Sequence, residues 1–118
     1  MNDIRKSLKT PRSVAYSLQN GCCYYCNQPM CDNDPEKFAT KHNITPGQAK
    51  LLRCTGEHLI PHQDGGTSKS DNIVAACLFC NSHRHKYNRQ EIHPEAYKKL
   101  ARNRLSTGHW HGLNLVSK

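Results

Sequence analysis

Cys23-Tyr24-Tyr25-Cys26 and Cys77-Leu78-Phe79-Cys80 are two matched cysteine pairs that decide the fold. Two residues between the cysteines let both thiolates of a turn point at one ion, and two such pairs complete a tetrahedral site with no open position. The pattern predicts a structural Zn²⁺ held by Cys23, Cys26, Cys77 and Cys80. Free buried thiols are the alternative; a redox pair is disfavoured because no thioredoxin-like βαβ pattern surrounds it.

The other cysteines and the composition favour a reducing compartment. The chain has seven cysteines in 118 residues, and an odd number argues against a complete disulfide framework. Cys22 could replace Cys23 at looser spacing, whereas Cys31 and Cys54 have no partner at ligand spacing. The first residues do not form a secretory signal, and no apolar run reaches membrane-spanning length. We expect a cytoplasmic protein (in the host cytoplasm if phage-encoded) with no membrane partner.

The charge balance indicates a polyanionic partner. Lys and Arg number 17 against 9 Asp and Glu, which gives a net charge of +8 with histidine neutral. Such an excess suits nucleic acid, with a basic surface that only aids solubility as the alternative.

Periodicity and turn signals predict the order of the elements. Thr10 and Pro11 have the form of a helix start, with Val14 and Leu18 on one face and Gly21 as a stop. Helix, strand and turn signals then predict an N-terminal helix over about 11–20, two short inserted helices within 31–51 (one with a capping box at 45–48), strands at 52–60 and 72–76 joined by a loop over 61–70, a basic helix to about 90 and a C-terminal helix over about 94–105.

A second motif lies between the cysteine pairs. Glu57-His58 is an acid–histidine pair followed by Pro61 and Gly65-Gly66, and Asn72 opens an apolar run. The run ends in the Cys-x-x-Cys-Asn sequence of residues 77–81, which opens a helix. Together with the Cys-x-Tyr-Cys of the first pair, these features resemble the HNH endonuclease family in type and in order.

The resemblance is close over residues 21–86 and loose in the rest of the chain. It implies a small α+β fold with a ββα-metal core, a treble-clef-like pair of zinc knuckles, inserted short helices and a C-terminal helix. We expect residues 1–118 to form one domain with its core at about 21–90.

The resemblance also implies the site residues. His58 is the general base that deprotonates the attacking water, and Glu57 and Asn81 hold a catalytic divalent cation, Mg²⁺ or another. His85 follows Asn81 by one helical turn and is a further candidate ligand. Asn72 holds the loop between the strands and so keeps His58 aimed. Glu57 replaces the family's more usual Asp, and Asn81 its more usual His.

Basic side chains near this motif are candidate nucleic-acid contacts, namely Arg84, Lys86, Arg89, Lys98, Lys99 and Arg102. A second basic cluster lies within residues 5–12. For each cluster a solvated face is the alternative. Trp110 could stack on a base, but anchoring the tail onto the core is favoured.

The sequence therefore predicts a metal-dependent endonuclease that acts on nucleic acid, with double-stranded DNA as the favoured substrate. It could act alone, as a homodimer or in a larger assembly. The alternative is a non-catalytic, zinc-stabilised nucleic-acid-binding or accessory module of a phage or mobile-element assembly. A binding module has no need of the acid–histidine pair, which favours the enzyme.

Overall fold

The structure is a computed structural model that describes residues 4–60, 72–87 and 92–115, with side chains at 10–60, 72–86 and 92–115. Within these ranges the elements are α1 (Ile4–Leu18), α2 (Pro35–His42), α3 (Pro46–Leu51), β1 (Cys54–His58), β2 (Ile73–Cys77), α4 (Leu78–Tyr87) and α5 (Pro94–Ser106). The predicted small α+β fold is confirmed. None of the described helices combines the length and apolar character that crossing a bilayer requires.

The centre of the fold is an antiparallel pair of strands followed directly by a helix. β1 pairs with β2 so that Glu57 lies opposite Val74 and His58 lies opposite Ile73. α4 begins at Leu78, the residue after β2 ends, which completes the expected ββα order. Because successive side chains of a strand point to opposite faces, Glu57 is buried while its neighbour His58 is half-buried.

The start and the inner face of α1 differ from the prediction. The helix begins at Ile4 and contains Pro11, so Thr10 is not its N-cap. Proline has a helical φ angle, but past the first turn it removes one main-chain hydrogen bond and crowds the carbonyl four residues before it, which is why the sequence favours a helix start at Pro11. The predicted apolar face is also exposed: Val14 is 44% and Leu18 79% exposed, and Ala15 packs inward instead.

The inserted helices form where the capping residues predicted them. The Thr45 hydroxyl accepts a hydrogen bond from the Gln48 main-chain N–H at 3.0 Å, and the Gln48 amide oxygen accepts one from the Thr45 N–H at 2.9 Å. This reciprocal pair is the predicted capping box of α3. In α2, the Asp34 carboxylate accepts from the Lys37 N–H at 3.1 Å and so caps that helix.

The first cysteine pair is fixed against the outer edge of β2. The Gln19 amide donates to the Ala75 carbonyl at 2.8 Å and accepts from the Ala75 N–H at 3.0 Å, and the Tyr24 N–H also donates to that carbonyl at 2.9 Å. An edge strand presents unpaired main-chain groups, and here the segment after α1 pairs with them. These contacts bring Cys23 and Cys26 to the end of β2, where Cys77 lies.

Candidate functional site

The four predicted zinc ligands converge. The Sγ atoms of Cys23, Cys26, Cys77 and Cys80 all lie within 4.8 Å of one another, and all four residues are buried. A tetrahedral Zn²⁺ with Zn–S bonds of about 2.3 Å needs sulfurs roughly 3.8 Å apart. The Cys26 and Cys77 sulfurs are 3.9 Å apart. The cluster therefore supports a structural zinc site. Cys22, the open alternative, stays outside it, with its thiol near the Asn20 carbonyl.

Main-chain N–H groups point at the clustered sulfurs. Cys23 Sγ is near the N–H of Cys77 at 3.3 Å and that of Tyr25 at 3.4 Å, and Cys77 Sγ is near the N–H of Cys80 at 3.4 Å. Donors of this kind stabilise sulfur most when it carries negative charge. The surroundings thus suit thiolates, which are the form that binds zinc.

The C-terminal tail adds two more donors to the cluster. Trp110 Nε1–H donates to Cys80 Sγ at 3.2 Å, and His111 Nε2 lies 3.5 Å from Cys26 Sγ. Because His111 Nδ1 accepts from the Leu113 N–H at 3.1 Å, a neutral His111 carries its proton on Nε2 and donates it to the sulfur. Trp110 therefore anchors the tail onto the core, as the favoured interpretation predicted.

Glu57 is the centre of a second buried cluster. Its side chain is fully enclosed, and its Oε2 accepts hydrogen bonds from Tyr25 Oη and Arg84 Nη1, each at 2.8 Å. Its Oε1 lies 2.7 Å from Nε2 of His85, whose side chain is 44% exposed. Burial raises the pKa of Glu57, but the bonds from His85 and Arg84 outweigh burial and hold its pKa below the ordinary value. Glu57 is therefore a carboxylate at neutral pH.

Arg84 belongs to this buried cluster and not to the surface. It is 5% exposed, and besides Glu57 its guanidinium donates to the main-chain carbonyls of His58, Leu59 and Ile92 at 3.1–3.4 Å. The expectation that Arg84 contacts phosphate is corrected by this placement. The sequence pattern predicts a phosphate-contacting surface cation at this position, whereas the Arg84 charge compensates the Glu57 carboxylate of β1.

Asn72 joins the two ends of the segment between the strands. Its Oδ1 accepts from the Ile60 N–H at 2.8 Å, its Nδ2 donates to the Ile60 carbonyl at 3.0 Å, and its own carbonyl accepts from the Leu59 N–H. These are the contacts that a loop-holding asparagine makes. The loop over 61–70, with Gly65-Gly66, lies outside the described residues.

Asn81 faces β1 from the first turns of α4. The Thr55 hydroxyl donates to the Ala76 carbonyl at 2.6 Å, so its oxygen can accept from Asn81 Nδ2 at 3.0 Å. Asn81 Nδ2 also lies 3.3 Å from the Gly56 carbonyl. These contacts orient the amide nitrogen toward β1. Residues 81 and 85 share a helix face, on which His85 contacts Glu57.

The remaining predicted nucleic-acid contacts have different surroundings. Lys86, Lys99 and Arg102 are exposed. Arg102 also donates from Nε to the Tyr25 carbonyl at 2.9 Å, which fixes its position while leaving the residue at the surface. Arg89 and the side chains at positions 5–9 lie outside the described residues.

Lys98 is partly engaged within the protein. Its Nζ lies 3.9 Å from the centroid of the Tyr24 ring and 3.3 Å from Oε2 of Glu95. A cation held by an aromatic ring and a carboxylate is less available to phosphate than a solvated one. Lys98 is therefore a weaker candidate contact than Lys99.

Cys31 and Cys54 are buried outside the zinc cluster. Burial raises the pKa of the Cys54 thiol to about 11, although the nearby Arg12 charge acts in the other direction. Burial likewise raises the pKa of Cys31. Both thiols are therefore protonated at neutral pH.

Sequence reasoning missed the two residues that hold the Glu57 carboxylate. In the sequence, Tyr25 belongs to the cysteine motif, and the basic pattern of the helix predicts a surface cation at Arg84. The signal that could have found such partners is the strand alternation, which buries Glu57 once His58 faces outward, because a buried carboxylate needs hydrogen-bond donors and a counter-charge.

Comparison with known proteins gives one family match. A family model described as HNH endonuclease matches residues 23–87, which is more than half of the 118-residue chain. The match begins at the first zinc ligand, ends with α4, and contains both clusters. Among curated proteins, no significant match to the chain was found.

Proposed function

The chain belongs to the HNH endonuclease family, and from that premise we propose that it is an active endonuclease that hydrolyses phosphodiester bonds in nucleic acid with the help of a divalent cation. The observation that carries the proposal is the contact between β1 and α4. There Glu57 Oε1 lies 2.7 Å from His85 Nε2, on the helix face that also holds Asn81. His58 follows Glu57 on the opposite face of the strand.

His58 is the proposed general base. A neutral imidazole can take a proton from water, which makes water a better nucleophile toward phosphorus. The main chain is held at His58 and just after it. The His58 carbonyl accepts from Arg84 Nη1 at 3.3 Å, and the Asn72 side chain makes two hydrogen bonds with the main chain of Ile60. A base held in this way loses less entropy on reaching the reactive geometry.

Glu57, Asn81 and His85 are the proposed ligands of the catalytic cation. The donor set fits, because it offers a carboxylate oxygen kept ionised, an amide oxygen and an imidazole nitrogen. When bound, a divalent cation such as Mg²⁺ or Mn²⁺ supplies positive charge to the phosphate and to the departing oxygen. Mg²⁺ prefers ligand sets made only of oxygen, so an imidazole ligand makes this site less selective for Mg²⁺ over Mn²⁺.

Exposed cations would hold the nucleic acid. Lys86 on α4 and Lys99 and Arg102 on α5 are at the surface, and the chain carries a net charge of +8. Such side chains bind phosphates irrespective of sequence. We therefore propose double-stranded DNA as the first substrate to test, cut by a single cytoplasmic domain acting alone or as a homodimer.

One observation favours a second candidate, a binding module without catalysis. The Glu57 carboxylate is fully enclosed and already paired with Arg84 and His85. Ion pairs of this kind can serve the fold alone. In that case zinc and DNA binding would persist while no cation bound at Glu57.

Plasmid cleavage tests the proposal. Zinc-loaded wild type is incubated with supercoiled DNA and Mg²⁺ or Mn²⁺, beside His58→Ala and the control His109→Ala, whose parent side chain is exposed in the tail. The wild type and the control should nick or cut, and His58→Ala should be slower by about 10²–10⁴-fold, the usual contribution of a general base.

The outcomes separate the two candidates. If folded, zinc-loaded wild type binds the plasmid but leaves it intact with either cation, the binding module is the better account. Equal cleavage by wild type and His58→Ala would remove His58 as the base while keeping the endonuclease.

A further inference from the structure

We propose that Tyr25 and Arg84 are positioning residues for Glu57, which hold its carboxylate so that only Oε1 can reach the catalytic cation. This inference rests on the proposed function and deepens it. Neither residue is a proposed cation ligand, and each acts through the carboxylate it contacts.

The hydrogen bonds divide the two carboxylate oxygens. Each oxygen has about two lone-pair sites. Oε2 accepts from Tyr25 Oη and from Arg84 Nη1, both at 2.8 Å, which fills its capacity. Oε1 faces His85, a partly exposed residue on the proposed ligand face of α4. Glu57 would therefore bind a cation through one oxygen.

Tyr25 connects the zinc knuckle to this carboxylate. It lies between two zinc ligands in the sequence and is fully buried, with its ring edge-on to that of Tyr97 at a centroid distance of 4.8 Å. Its hydroxyl accepts from Arg84 Nη1 at 3.1 Å and donates to Glu57.

Arg84 connects the cation ligand to the proposed base. Through Nη1 it binds the Glu57 side chain and the His58 carbonyl, and through Nη2 it binds the carbonyls of Leu59 and Ile92. A planar guanidinium makes these bonds in fixed directions. One side chain thus sets the position of Glu57 relative to the main chain of His58.

Tyr25→Phe tests the inference, because it removes one donor to Oε2 and keeps the buried ring. The Mg²⁺ concentration for half-maximal plasmid cleavage should rise about tenfold, as is usual when a partner of a metal ligand is removed. The rate at saturating Mg²⁺ and the zinc content should change little. Tyr24→Phe is the matched control, since its hydroxyl makes only a 3.4 Å contact with the exposed Glu95, and its Mg²⁺ requirement should stay at the wild-type value.

Mn²⁺ binding to the zinc-loaded protein without DNA, followed by electron paramagnetic resonance, gives a readout that does not depend on cleavage. Tyr25→Phe should bind Mn²⁺ about tenfold more weakly than Tyr24→Phe. Arg84→Lys keeps the positive charge but loses the planar guanidinium that contacts Glu57 and the His58 main chain together. It should therefore both weaken Mn²⁺ binding and slow cleavage at saturating Mg²⁺. It also replaces Tyr25→Phe in the test if that variant does not fold.

Each result has one interpretation. If the wild type cleaves and Tyr25→Phe and Arg84→Lys match it in metal requirement, the inference is overturned while the proposed function stands. If the folded wild type neither cleaves DNA nor binds Mn²⁺, the proposed function fails and the inference falls with it.

Discussion

The cysteine cluster and the Glu57 cluster are both buried, but they balance charge in opposite ways. Around the four sulfurs the hydrogen-bond donors among the described residues are N–H groups of the main chain, Trp110 and His111. Around Glu57 one donor is the cationic guanidinium of Arg84. Four thiolates whose described hydrogen-bond donors include no Lys or Arg need a metal ion, whereas the carboxylate already has its counter-charge. The comparison implies that zinc is required for folding, while the proposed catalytic cation would enter and leave a folded site.

Cys80→Ser should have the largest effect, because it removes one ligand from a closed four-ligand site. Structural zinc can contribute about 10 kcal/mol or more to folding, so the variant should lose zinc and unfold. Zinc content by elemental analysis and circular dichroism measure this. Cys22→Ser, outside the cluster, should keep both zinc and fold. A folded, zinc-free Cys80→Ser would contradict the difference between the two clusters, since the fold would then not need the metal.

Glu57→Gln should have a smaller effect on stability and none on zinc content. It leaves the buried Arg84 without its counter-charge, which typically costs about 3–5 kcal/mol of unfolding free energy. Urea unfolding measures the change. Glu95→Gln is the control, because its ion pair with Lys98 is exposed and its loss should alter stability little. If Glu57→Gln were as stable as wild type, the Arg84 pair would not hold this cluster together.

Lys99→Gln should have the smallest effect, because it removes one exposed cation outside both clusters. DNA binding should weaken similarly for all sequences, and the slope of log affinity against log salt should fall by about one if Lys99 contacts a phosphate. Fluorescence anisotropy over a salt series measures the slope. Lys41→Gln on α2 is the matched surface control and should leave the slope unchanged. Equal slopes for both variants would exclude Lys99 from the binding surface.

The cysteine cluster could be predicted from the sequence because its information is local. Each pair sets two ligands in one turn by spacing alone, and only the meeting of the two pairs depends on the fold. The same holds for the α3 capping box, in which Thr45 and Gln48 are three residues apart. The ββα order followed from local turn and strand signals and from the family resemblance.

The partners of Glu57 could not be predicted because they come from two segments that are both distant from β1 in the sequence. Tyr25 precedes Glu57 by 32 residues and Arg84 follows it by 27. Periodicity alone gives no such pairing, and a cation in a basic helix looks like a surface residue until the packing of β1 on α4 is known. The exposed Val14 and Leu18 show the same limit, since the close approach of α1 to the core uses the smaller Ala15.

One structural zinc and one exchangeable catalytic cation are the central claim, and the most direct test follows one sample through the removal of loosely bound cations. Zinc-loaded protein is passed into metal-free buffer and examined by native mass spectrometry, thermal unfolding and plasmid cleavage. We predict one Zn²⁺ per chain, an unchanged melting temperature, no cleavage, and full recovery of cleavage when Mg²⁺ or Mn²⁺ is added. Cleavage that continues with zinc as the only metal present, or a chain that stays folded without zinc, would contradict the account.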